Sequence, residues 1–141
     1  MEKWKYFAVI SMFFAGLTSV LAKFGMKNLH SDFALFIRSF IVFGFVCLHV
    51  ILFQNVFLEW KNISKTNLLF LILSGFTTTL SWLFYYRAIK IGPVSHIASI
   101  DKGSILVTIL LSFLFLNEPF SMKILFGAGF ILIGLIILTC S

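Results

Sequence analysis

The chain has 141 residues, is 60% hydrophobic with 19 phenylalanines, and has a mean hydropathy of +1.07. A soluble domain of this size has too little interior to hide so much apolar surface, so lipid must cover it. The formal net charge of +6 does not indicate nucleic-acid binding, because the basic residues are scattered beside apolar runs and form no basic face.

Charge falls in narrow islands. Between them lie five uncharged runs, residues 6–22, 39–58, 66–86, 103–117 and 124–141, each 15 to 21 residues long. Roughly 17–25 mostly apolar residues cross a bilayer as a helix. The expectation is an all-α integral membrane protein with five transmembrane helices, forming one transmembrane domain over residues 1–141. An odd number of spans puts the two ends on opposite sides.

The first helix is expected at about residues 4–27. Lys3 and Lys5, an apolar core and Val20-Leu21-Ala22 have the pattern of a cleaved signal peptide. Cleavage would discard Thr18 and Lys23, which look placed, so a retained helix is expected. Asn28 to Asp32 connects to the second helix, about residues 33–57, with Asp32 suited to cap it. A polar loop over residues 59–67 leads to the third helix, about residues 67–89, capped by Thr66 or Asn67. Gly92-Pro93 separates it from the fourth, about residues 93–116, since proline tolerates the first helical turn. Asn117-Glu118-Pro119 turns into the fifth, about residues 121–140, with Ser121 as its cap. Loops this short make neighbouring helices antiparallel and leave no room for an extramembrane domain. Trp4, Trp60, Tyr85 and Tyr86 lie near the expected interfaces, where amphipathic rings settle.

No enzyme chemistry is indicated. The acids Glu2, Asp32, Glu59, Asp101 and Glu118 are isolated from one another, and no second histidine stands at ligand spacing from His96. Cys47 and Cys140 lie in apolar runs and read as small hydrophobes. No metal and no cofactor is expected. Gly127, Gly129 and Gly134 around Ala128 suit a packing or dimer face.

The fourth helix carries the informative anomaly. Asp101 and Lys102 lie on the order of 12–14 Å from Pro93 along a helix axis, near mid-membrane. Each charge costs roughly 2.5–3.5 kcal/mol at a helix centre. Helix neighbours point about 100° apart, so the two cannot pair well and each needs a partner or a wet cavity. Ser104, Thr108 and Ser112 continue a stripe from Asp101. Ser74, Thr78, Ser81 and Tyr85 form a second on the third helix, and Ser11, Thr18 and Ser19 a third on the first. Such hydroxyls also bond their own backbone or let helices pack closely. The embedded charges move the reading toward a substrate or proton route, with a structural ion bridge as the other reading. Lys23, Arg38, Arg87, Lys90 and His96 gather on the side where the fourth helix begins. Arg87 and Lys90 read as snorkelling anchors, and Lys23 and Arg38 equally as anchors or cavity walls.

Tyr85-Tyr86-Arg87-Ala88-Ile89-Lys90-Ile91-Gly92-Pro93, then Ile100-Asp101-Lys102, then Phe115-Leu116-Asn117-Glu118-Pro119 resembles the second half of an EamA domain, the repeat unit of the drug/metabolite transporter superfamily. Gly16-Leu17-Thr18-Ser19, Lys23 and Arg38 fit its first half. Asn117 stands where the family often has glycine. The resemblance implies transport through a central cavity between two inverted five-helix repeats. This chain holds one repeat, so a second copy, in an antiparallel homodimer, or a similar short partner chain would complete it. The four-helix multidrug members use a glutamate in their first helix. None is present here, so exchange of cationic drugs for protons is not implied.

Charge bias bears on the dimer. One side holds Lys3, Lys5, Lys61, Lys65 and Lys123; the other holds Lys23, Lys27, Arg87 and Lys90. That balance gives no firm orientation, as a dual-topology protein would show. The expectation is therefore a transporter of small metabolites in the cell (inner or plasma) membrane, its partners the lipid bilayer and a small-molecule substrate. It would act as a dimer of five-helix units with alternating access. The expected substrate and coupling cavity comprises Asp101, Lys102, Ser104, Thr108, Thr78, Ser81, Tyr85, Arg38 and Lys23. The alternative is an accessory or heterodimeric subunit of a lipid or metabolite flippase or exporter.

Overall fold

The charge-free runs are helical in the computed structural model, which describes residues 3–117, 119 and 121–139, without the side chains of Phe57 and Leu58. Glu2, Glu118, Cys140 and the end of the fifth expected helix lie outside the described residues. The helices are α1 Lys3–Gly25, α2 Ser31–Phe53, α3 Val56–Asn62, α4 Lys65–Ile91, α5 Val94–Asp101, α6 Ser104–Phe115 and α7 Met122–Thr139. Five segments are long and apolar enough to cross a membrane: α1, α2, α4, Val94–Phe115 (α5 with α6) and α7. They are mostly apolar, as suits a lipid-covered span, with the hydroxyl stripes and the Asp101-Lys102 pair among the exceptions. Among the described residues there is no strand.

Helix ends follow local chemistry, with several departures from the sequence expectation. Asp32 does not cap α2. His30 holds the cap position, its Nδ1 accepting from the Asp32 amide at 3.4 Å. Asp32 lies in the first turn, where its charge suits the positive end of the helix dipole. Ser64 caps α4, rather than Thr66 or Asn67: its Oγ accepts from the Asn67 amide at 3.1 Å, the usual bond to the third helical residue. α2 stops at Phe53, before the polar pair Gln54-Asn55, and a separate helix, α3, runs from the expected end of the second helix into the expected loop. Glu59 in the first turn of α3 and Lys61 in its last both complement the dipole. After α6, Asn117 has φ 51°. That left-handed position favours glycine, and asparagine is the side chain that best replaces it.

The chain forms two compact units, Leu21–Lys90 and Met1–Val20 with Ile91–Ser141. In the first, the end of α1, α2 and α4 bury Met26, Ser31, Leu35, Tyr86 and Ile89. In the second, α5 and α6 pack on α7, where Ala128 is buried.

The fourth span is not continuous. α5 ends at Asp101, and α6 begins at Ser104. Between them the amides of Lys102, Gly103, Ile105 and Leu106 donate to Ser99, Ile100, Lys102 and Gly103, at 3.1, 2.8, 3.1 and 3.0 Å. Each of these bonds spans three residues, though Lys102 also keeps a four-residue bond to Ala98 at 3.3 Å; this is a 3₁₀ tightening that mid-helix often marks a functional hinge. A Cβ on Gly103 would stand 2.9 Å from the Ile100 carbonyl oxygen and 3.3 Å from Leu135 Cδ1. Only glycine fits this turn, packed as it is on α7.

Candidate functional site

The Leu21–Lys90 unit gathers charge at one end. Lys23, near the end of α1, donates through Nζ to the Ile89 carbonyl and to that of Lys90 at 3.3 Å. Lys90, near the end of α4, donates to the carbonyls of Met26 at 2.5 Å and Lys27 at 3.3 Å. A helix leaves its last four carbonyls without partners, and a cation there also suits the negative end of the dipole. Lys23 therefore caps the end of α4, while Lys90 ties down the turn that follows α1. Met26 and Ile89, 1% and 0% exposed, keep water from these bonds. Lys23, Phe24, Met26, Lys27 and Lys90 line a cavity of about 300 Å³ at this end.

Arg87 is held by an acid. Its Nε and Nη2 donate to the two carboxylate oxygens of Asp32, at 3.0 and 2.7 Å, and Ser31 Oγ donates to one of them at 3.1 Å. The paired donors match the geometry of a carboxylate. Thus Lys90 and Arg87 are structural ties, not the free anchors the sequence suggested.

Arg38 differs. Its guanidinium lies 4.3 Å from the Trp82 ring centroid and 5.8 Å from that of Tyr86. Trp82 and Tyr86 are four apart on α4 and share a face. Stepping along α2 from Asp32 to Arg38 steps back along α4 from Arg87 to Trp82, the register of an antiparallel pair. The Tyr86 ring is 3% exposed, and its hydroxyl is buried with no partner among the described residues.

The hydroxyl stripes mostly serve their own helices. Thr18 donates to Phe14, Thr78 to Ser74 and Thr108 to Ser104, at 2.8, 2.8 and 3.0 Å. Such bonds leave the oxygen able to accept from a ligand. Thr108 and Ser112 line a largely apolar cavity of about 220 Å³ with α7 residues Ile124 and Leu125. Asp101 is half-buried and Lys102 exposed at the break between α5 and α6. Of the expected site residues, Lys23, Arg38, Thr78, Ser81 and Tyr85 belong to the Leu21–Lys90 unit. Asp101, Lys102, Ser104 and Thr108 belong to the other. No cluster of metal-binding side chains occurs among the described residues.

Sequence reasoning missed Trp82. An arginine embedded in a span needs company, and an aromatic pair at four-residue spacing was the available signal. It also missed the Asp32–Arg87 pair, which needs the register of α2 on α4 to be known.

The chain as a whole has counterparts among known proteins. The EamA-like transporter family matches over residues 2–140. The chain belongs to the EamA-like transporter family. A relative from Sinorhizobium sp, described as an uncharacterized transporter in the cobO 3′ region, is 34% identical over 137 residues, covering 97% of this chain and 96% of that one. No solved structure matches. As an EamA-like protein, the chain is a multi-pass membrane protein of a transporter family. The family match covers all five spans of this chain.

Proposed function

We propose that the protein moves small metabolites across the cell membrane as an antiparallel homodimer, each copy supplying one five-helix repeat. The two repeats would alternate access to a shared cavity. Asp101 is the ionisable group that couples transport or contacts substrate, and Lys102 balances its charge. Ser104, Thr108, Thr78, Ser81, Tyr85, Arg38 and Lys23 line the route.

The observation that carries this reading is the break at Lys102-Gly103, midway along the span Val94–Phe115, with Asp101 on its edge. Transporters place substrate and ion sites near the bilayer midplane at interrupted helices, where freed backbone groups face a cavity. A half-buried Asp101 and an exposed Lys102 are poorly placed in hydrocarbon at roughly 2.5–3.5 kcal/mol each. A second copy gives both a wet, covered setting. The near-equal basic residues on the two sides of the membrane support insertion in both orientations. The paired lysine bonds fit a closed end of such a unit, because opening it requires the end of α4 and the turn after α1 to give up their lysine partners.

The test is Asp101→Asn in proteoliposomes, with uptake driven by an imposed pH gradient. The variant should express and insert at parental levels and lose gradient-dependent flux. Full gradient-dependent flux in that variant would remove Asp101 from the coupling role.

A further inference from the structure

We propose that Arg38, held against Trp82 and Tyr86, is an oxyanion site that takes the phosphate or carboxylate of the transported substrate. The word "transported" rests on the function proposed above; the site itself rests on charge accounting within Leu21–Lys90.

Three other basic groups near this end are committed. Arg87 holds both oxygens of Asp32, and Lys23 and Lys90 hold backbone carbonyls. Arg38 has no such acceptor among the described residues; its contacts are two aromatic rings. The attraction of a cation for a ring face uses none of its five N–H donors. The rings therefore hold the group and leave its hydrogen-bonding edge unspent.

Its position makes the open valence meaningful. Arg38 stands seven residues into α2, about 10 Å along the helix. A snorkelling arginine extends its head toward the interface. This one rests at the level of Trp82, nine residues short of the end of α4. A positive charge at that depth calls for a counter-charge, and the acid on the facing helices, Asp32, is already paired. The second open group is the hydroxyl of one of those two rings. A buried tyrosine hydroxyl normally finds a partner, yet Tyr86 Oη has none among the described residues, and the guanidinium packs on the same ring.

The chemistry selects the ligand class. A guanidinium presents paired donors that match two oxygens of a carboxylate or phosphate, and an adjacent phenol adds a donor to the same oxyanion. A neutral sugar or an amine would leave the charge unmet. The same phosphate chemistry can arrive on a soluble metabolite or on a lipid headgroup.

Trp82 reports on the site directly. With Trp4 and Trp60 replaced by phenylalanine, Trp82 is the one tryptophan left in the full chain. The purified protein in phosphatidylcholine nanodiscs is titrated with inorganic phosphate and with acetate. In a second arm the nanodiscs carry increasing phosphatidic acid. A saturable change in Trp82 emission is expected in at least one arm. Arg38→Gln should weaken it at least tenfold, Arg38→Lys less, and Tyr86→Phe a few-fold. The lysine and phenylalanine variants keep charge or ring, so they separate lost binding from lost folding, which elution profile and circular dichroism also check. A response to soluble anions alone assigns a free anion, and a response to phosphatidic acid alone assigns a lipid phosphate. No saturable change in either arm, or Arg38→Gln titrating like its parent, overturns the proposal. Binding is read without flux. An intact titration with no flux faults the transport reading, whereas flux that survives unchanged in Arg38→Gln faults the site.

Discussion

Gly103→Ala tests whether the break in the fourth span is built into the packing. The added Cβ would meet the Ile100 carbonyl at 2.9 Å and Leu135 Cδ1 at 3.3 Å. The first neighbour is backbone within the tightened turn, so the turn must unwind toward regular helix or α7 must retreat. Overpacking of this kind costs roughly 1–3 kcal/mol. Alanine also gains about 1 kcal/mol over glycine in a helix, so a single measurement mixes two terms of opposite sign. Gly127→Ala is the control: it shares the propensity gain, and its Cβ would meet nothing within 4 Å. The difference between the two variants isolates the packing term, expected at about 2 kcal/mol, or roughly thirtyfold in the unfolding equilibrium. Reversible denaturant unfolding in mixed micelles, followed by circular dichroism, measures it. Gly103→Val should be worse than alanine, as its branches press on Leu135. If Gly103→Ala and Gly127→Ala fall within about 0.5 kcal/mol of each other, the close approach is not a constraint and the reasoning fails.

Two further predictions concern the charged end of the Leu21–Lys90 unit. Lys90→Met keeps the stem and removes the donor, taking the lysine from the Lys27 carbonyl and leaving that of Met26 with only the Leu29 amide. A loss of about 1–3 kcal/mol is expected, with faster hydrogen exchange in the turn after α1, and unchanged exchange there would contradict the lysine tie. Asp32→Asn should free the Arg87 guanidinium, raising the reactivity of that arginine toward a dicarbonyl reagent. Exchanging the two charges, Asp32→Arg with Arg87→Asp, should restore protection, and failure of the exchange to do so would show that the pair is not the tie described.

The five spans were legible because membrane insertion is a composition constraint: a run of apolar residues long enough to cross lipid has few other fates. The limits of α1, α4 and α7 follow from flanking polar residues such as Ser64 and Ser121. α3 was not legible, since seven residues give too little periodicity to separate a short interfacial helix from a loop. The fourth span was read as one helix because Asp101 and Lys102 marked a cost and not a break. The break depends on how Gly103 packs on Leu135, thirty-two residues away. The hydroxyl stripes were visible as patterns, but a pattern does not say whether Thr78 or Thr108 bonds its own backbone. Lys23 and Arg38 read from sequence as anchors and as cavity walls alike. What each touches, carbonyls for one and rings for the other, is set by helix pairing, which a single sequence does not encode locally.

The central claim is that one repeat becomes a transport unit by pairing with an inverted copy of itself. The most direct test locates the C-terminus in cells, using full-length fusions to a reporter active only in the cytoplasm and to one active only outside it. Insertion in both orientations, as proposed, would make both report strongly. Activity from one reporter alone would fix a single orientation and contradict an antiparallel homodimer.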